Sequence, residues 1–185
     1  MVDGERPAVF LDRDGVLNES VVRNGRPYPP ASLADARLLH DAVESVQRLK
    51  AAGFVTVVVT NQPDVAKGLQ SREVVDDINA MIVRETGVDA VKVCWCLEVE
   101  DCPCYKPKPG MLLDASREMN LDISRSYMVG DRWRDVGAGI NAGCKTILIE
   151  RGYDESGAYS PDITVSCLSA AVDYIMDATL SSRRN

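Results

Sequence analysis

Ala8-Val9-Phe10-Leu11-Asp12-Arg13-Asp14-Gly15-Val16-Leu17-Asn18 is the stretch that decides the fold. Ala8 to Leu11 is an apolar run of strand length, which reads as a buried strand. Asp12 and Asp14 follow at its end, and Gly15 breaks the strand behind them. In open α/β sheets ligands bind just outside the carboxyl ends of the strands. Two carboxylates held together there repel unless a cation or a shared proton offsets the charge. Magnesium suits such a place, because it is a hard ion that takes oxygen ligands and keeps several waters. A lone D-x-D is otherwise an ordinary solvated turn, so the rest of the chain has to decide.

Three further strand ends carry polar residues. Phe54 to Val59 is a β-branched strand ending in Thr60-Asn61-Gln62. Val88 to Trp95 is a third, followed by Lys106-Pro107-Lys108-Pro109-Gly110. Ser126 to Val129 is a fourth, ending in Gly130-Asp131-Arg132-Trp133-Arg134-Asp135. Between them fall helical patterns: Leu39 to Leu49, then Val74 to Ile82 behind a capping Ser71, then Met111 to Met119. Lys145 to Glu150 is a fifth strand, Ile163 to Val165 an edge strand, and Leu168 to Leu180 a last amphipathic helix. Alternation of strand and helix predicts a Rossmann-like α/β/α sandwich with a mainly parallel sheet and no large cap domain. Asp12, Asp14, Thr60, Asn61, Lys106, Asp131 and Asp135 then converge on one sheet edge. Residues 19–35, with Asn24-Gly25, Pro27, Pro29 and Pro30, read as a long irregular loop overhanging that edge.

Composition fits one domain over 1–180 with a frayed tail at 181–185. With 21 basic and 28 acidic residues the net charge is −7, unfavourable for holding nucleic acid by its phosphates. No apolar run is long enough to span a bilayer, and Met1 to Arg6 lacks a signal-peptide pattern. A cytoplasmic protein is expected, in which cysteines serve as thiols or metal ligands. Four of the six, Cys94, Cys96, Cys102 and Cys104, fall within eleven positions as two C-x-C pairs, which fits a tetrahedral zinc site. His40, the only histidine, opens a helix and is given no catalytic role.

The edge can transfer a phosphoryl group. Asp12 can attack phosphorus. Asp14 can protonate the leaving oxygen and later take a proton from water. Magnesium on Asp12, Asp14 and Asp131 can neutralise phosphoryl oxygens. Thr60, Asn61 and Lys106 can supply donors and positive charge. A phosphoryl-accepting receiver domain also gathers acids, a Thr and a Lys at strand ends, but Asp14 would hydrolyse its acyl phosphate.

The ordered set D-R-D-G-V-L-N, V-V-T-N-Q, C-x-C…C-x-C, K-P-K-P-G-M and V-G-D-x-x-x-D, over about residues 8–150, resembles the haloacid dehalogenase superfamily of phosphatases. More closely, it is similar to the D-glycero-D-manno-heptose 1,7-bisphosphate 7-phosphatases, with histidinol-phosphate phosphatases as near relatives. The resemblance implies the roles above for Asp12, Asp14, Thr60, Lys106 and Asp131, a sugar phosphate substrate and a structural zinc. A monomer is expected. Tyr105 and Arg132 are the candidate substrate-binding residues. Tyr105 stands where these heptose phosphatases usually carry Arg, Cys96 where they often carry His, and Lys67 where they carry Arg. Loss of a guanidinium fork at 105 leaves open whether the substrate carries one phosphate or two.

Overall fold

The computed structural model describes residues 5–155 and 157–182. Six parallel strands form one sheet: β1 (Arg6–Leu11), β4 (Val55–Asn61), β5 (Ala90–Cys94), β6 (Leu121–Gly130), β7 (Lys145–Ile149) and β8 (Ile163–Val165). Their order across the sheet is β5-β4-β1-β6-β7-β8. The helices are α1 (Ala42–Ala51), α2 (Pro63–Ala66), α3 (Arg72–Thr86), α4 (Gly110–Met119), α5 (Trp133–Ala142) and α6 (Leu168–Ser182). Ser71 caps α3 by accepting the Val74 amide at 3.2 Å.

Side chains alternate across a strand, and β1 shows what this does. Val9 and Leu11 pack with Val46 and Leu49 of α1, Ile78 and Ile82 of α3, and Val172 and Ile175 of α6. Ala8 and Phe10 face the other way, onto Leu112 and Ala115 of α4 and Ala138 of α5. Ala8 to Leu11 are all fully buried, so this part of β1 is apolar on both faces and sits at the centre of the sheet. Its end, where Asp12 begins, is therefore fixed from both sides.

Three expectations from sequence need correction. Residues 19–35 are not irregular throughout: β2 (Val21–Arg23) and β3 (Arg26–Tyr28) form an antiparallel hairpin. Asn24 and Gly25 both have positive φ, 50° and 73°, the left-handed pair that a two-residue hairpin turn requires. Strand β6 begins at Leu121 rather than Ser126, because its register shifts between Pro7 and Val9. Ser126 Oγ accepts the Ala8 amide at 2.9 Å, satisfying a donor the shifted ladder leaves out. Ser181 and Ser182 belong to α6 rather than a tail, and 183–185 lie outside the described residues. Among the described residues no helix is long and apolar enough to cross a membrane.

Candidate active site

Asp12 leaves the end of β1 with its amide bonded to the Val129 carbonyl of β6 at 2.9 Å. Beside it lies Lys106, only 3% exposed, whose Nζ donates to Asp12 Oδ1 at 2.8 Å, Asp135 Oδ1 at 2.6 Å and the Val59 carbonyl at 2.8 Å. All three ammonium protons are thus used. Asn61, predicted to face the phosphoryl group, instead clasps the Lys106 backbone: its Oδ1 accepts the Lys106 amide at 3.1 Å and its Nδ2 donates to the Lys106 carbonyl at 3.2 Å. Thr60 is buried and accepts from Gln62 Nε2 at 2.9 Å, which leaves its own hydroxyl proton to give.

Asp12, Asp131 and Asp135 each bring a carboxylate oxygen into one group, within 4.8 Å of one another. Asp14, expected among the metal ligands, does not join them through its carboxylate. That carboxylate is held by Arg13 at 2.8 Å, Asn18 at 2.8 Å and Gln62 at 3.0 Å. Arg13 is fully buried and anchored in turn on Asn79 Oδ1 of α3 at 3.1 Å. Asp135 also caps α5, accepting the Arg132 amide at 3.0 Å.

Two glycines make the approach possible. A Cβ on Gly15 would lie 1.8 Å from Asp131 Oδ2, and its φ of +86° disfavours any other residue. A Cβ on Gly130 would lie 2.1 Å from that of Asp135.

The electrostatics favour a cation. Three carboxylates against one ammonium leave two negative charges in a buried group, which a divalent cation balances. Asp131 Oδ2 accepts from Tyr153 Oη at 2.7 Å, while Oδ1 is buried with no partner. An oxygen left so is costly unless something else occupies it. The residues present therefore fit a hard divalent ion. Burial pushes Asp12 up to about 6, against the pull of Lys106 and helped by the charge of Asp135. Burial, then Asp12 and Asp135, pushes Asp131 well above the usual carboxylate range. Burial works against charge on Lys106, but Asp12 and Asp135 outweigh it and hold the ammonium above its ordinary value.

A pH dependence follows. A carboxyl raised by folding binds its proton more tightly in the native state. Its contribution is full below 3.8 and is lost as the pH rises through about 6. Metal-free protein should melt at a lower temperature at ~pH 7.5 than at ~pH 5, and Asp12→Asn or added magnesium should flatten the difference. Thermal melts of chelator-treated protein check this; a wild-type midpoint that changes no more than that of Asp12→Asn would contradict it.

The site opens outward in two steps. A cavity of about 90 Å³ holds Asp12, Asp14, Thr60 and Lys106 beneath Tyr28 of the hairpin. Beyond it is a cavity of about 500 Å³ with Lys67, Glu98 and Trp133 in its walls. Tyr28, Tyr105, Arg132 and Arg134 line both. The candidate substrate-binding residues Tyr105 and Arg132 are thus wall residues of both cavities, and the Arg132 guanidinium is engaged by both carboxylate oxygens of Glu155.

The four clustered cysteines also converge, with all sulfurs within 4.8 Å of one another. Cys94 is joined to Cys104 and Cys96 to Cys102, where the sequence predicted thiolates on a metal. The two pairs are interlocked, with Cys102 and Cys104 sulfurs 3.1 Å apart and those of Cys96 and Cys104 3.7 Å apart. Disulfides do not require such convergence, whereas a tetrahedral metal site does. As thiolates, the same four sulfurs form a donor set that fits zinc. Asp135, which the sequence places at the same edge, joins the acidic group, but nothing local in sequence gives Arg13, Asn79, Gln62 or Tyr153 the partners they have here.

Comparison with known proteins agrees with this geometry. Residues 103–171 match the HAD-hydrolase-like family model. The D-glycero-beta-D-manno-heptose-1,7-bisphosphate 7-phosphatase of Pasteurella multocida is 35% identical over 159 residues, covering 80% of this chain and 83% of that one. The D-glycero-D-manno-heptose-1,7-bisphosphate 7-phosphatase of Thermosynechococcus vestitus is 35% identical, covering 92% and 95%. The crystal structure of the D,D-heptose 1,7-bisphosphate phosphatase of B. bronchiseptica, complexed with magnesium and phosphate, superposes with a TM-score of 0.78 at 27% identity, covering 93% of this chain and 99% of that one. The chain belongs to the heptose 1,7-bisphosphate 7-phosphatase family of HAD-like hydrolases, and it is a phosphatase.

Proposed function

We propose that the chain removes the 7-phosphate of D-glycero-D-manno-heptose 1,7-bisphosphate. The observation that carries the chemistry is the buried group of Asp12, Asp131 and Asp135 around Lys106, whose two excess negative charges call for a divalent cation. Magnesium would be held by Asp12, Asp131 and Asp135, and when bound it neutralises phosphoryl oxygens so that an anionic carboxylate can approach phosphorus. Asp12 attacks phosphorus, the P–O bond to the sugar breaks, and Asp14 gives the leaving oxygen its proton. Water then attacks the aspartyl phosphate, Asp14 takes its proton, and phosphate leaves with Asp12 restored. Lys106 holds Asp12 in place and offsets charge on the transferring group; Thr60 donates to it. Asn61 acts through Lys106, as a positioning residue. The named activity of the relatives supports the sugar, and the outer cavity has room for the rest of such a substrate.

Phosphate release from heptose 1,7-bisphosphate, the heptose 7-phosphate and histidinol phosphate tests the reading. The highest kcat/KM is expected for the bisphosphate. Equal or better turnover of histidinol phosphate would overturn it. A monomeric, cytoplasmic enzyme is part of the proposal, and thiolate-bound zinc would suit a reducing compartment.

Zinc on Cys94, Cys96, Cys102 and Cys104 would be structural, since four thiolates leave no open position. Tyr105 and Lys106 directly follow the last ligand, so the metal would hold the segment that places Lys106. Protein purified without added metal should contain about one zinc per chain. Cys102→Ser should lose it, melt lower and turn over more slowly. Zinc near zero with two disulfides by mass would end the zinc reading.

A further inference from the structure

Among the described residues, Arg134 is a cation of the outer cavity whose buried Nε has no hydrogen-bond partner. Its guanidinium lies 4.9 Å from the Trp133 ring centre and 5.9 Å from that of Tyr105, the residue standing where the resemblance leads one to expect Arg. Its side chain is 18% exposed, and Nε is buried without a hydrogen bond. One Nη2 contact engages Glu98, whose side chain is 60% exposed on the cysteine loop. Of the other cations in that wall, Arg26 is exposed, whereas Arg132 is held by two oxygens of Glu155 and Lys67 is paired with Asp64 at 2.9 Å.

Aromatic faces orient a guanidinium by cation–π contact while leaving its edges free for planar recognition of a phosphate. Here two rings do so at a residue that lines both the catalytic and the outer cavity. Arg134 is also the second residue of α5, where the positive end of the helix favours an anion. We infer that Arg134 receives the second phosphate of the substrate, displacing Glu98, and so restores in space the guanidinium that the sequence lacks at position 105. The inference rests on the bisphosphate reading above. Tyr105 is then the platform for the guanidinium rather than a replacement for it.

The test is the ratio of kcat/KM for heptose 1,7-bisphosphate to that for heptose 7-phosphate, measured on the same preparation of each variant. Because both substrates share the reacting phosphate, a change in folding or in the catalytic group moves both together. Arg134→Gln should lower the ratio about ten- to a hundredfold, mainly through KM for the bisphosphate, as expected for loss of a charge-assisted contact. Arg134→Lys should recover part of it. A wild-type preference for the bisphosphate that Arg134→Gln retains would overturn the inference and leave the proposed function standing. A wild type that does not prefer the bisphosphate would end both. If Arg134→Gln does not fold, Glu98→Gln decides. Freeing the guanidinium should raise the ratio a few-fold, and an unchanged ratio overturns the inference.

Discussion

Asp12→Asn should leave a folded protein with turnover reduced on the order of 10⁴-fold or more, since an amide cannot attack phosphorus. The same substitution should not cost stability in metal-free protein. Asp12 is one of three carboxylates within 4.8 Å around a single ammonium. Burial raises its pKa to about 6, so its charged form is a burden on the fold near neutral pH. Asn keeps the shape and a carbonyl that can accept from Lys106. The melting temperature without magnesium should therefore hold or rise, and the gain on adding magnesium should shrink because a ligand charge is gone. Phosphate release and melts with and without magnesium check both halves. Substantial turnover would sink the nucleophile assignment. A large fall in melting temperature would sink the account of the charge balance. Asp14→Asn differs in kind: it should slow hydrolysis of the aspartyl phosphate and let it accumulate, visible as a mass increment on the intact chain.

Lys106→Met should damage both stability and rate. The ammonium is 3% exposed and is the cation that Asp12 and Asp135 share. Removing one member of a buried charged cluster leaves uncompensated carboxylates and typically costs about 3–5 kcal/mol. For a chain of this size that is a fall in melting temperature on the order of 10 °C at neutral pH. The penalty should be smaller at ~pH 5, where Asp12 and Asp131 take up protons, and smaller with magnesium. Turnover should fall at least about 10²-fold, as for loss of a preorganised charge at a transferring group. Melts at the two pH values and steady-state rates on the folded fraction are the measurements. A melting temperature equal to wild type would mean that Lys106 does not balance the cluster. Since Asn61 clasps the Lys106 backbone from both sides, Asn61→Ala should weaken turnover in the same direction by less.

The strands, their parallel sense and the edge at which their ends meet were legible in the chain itself. The reason is local. Apolar runs of strand length, each closed by a polar residue or a glycine, carry their burial pattern in their own composition. Phe10-Leu11-Asp12 and Met128-Val129-Gly130-Asp131 say where a strand stops and a carboxylate starts. Asn24-Gly25 carried a hairpin signal of the same local kind, but three short residues on each side offered too little periodicity to set against the prolines around it.

What each side chain does at that edge was decided by the tertiary structure. Asp14 is turned away from the acidic group by Arg13, and Arg13 is fixed by Asn79, 66 positions along the chain. Asn61 is committed to the Lys106 backbone 45 positions away, and Arg132 to Glu155. Arg134 reaches the face of Tyr105 from another element altogether. Spacing and propensity express only what neighbours in sequence do to one another. The partner of a buried charge is chosen by which elements pack together, and that choice follows from burying the apolar faces of β1 and the helices on either side, far from the polar residues it brings into contact.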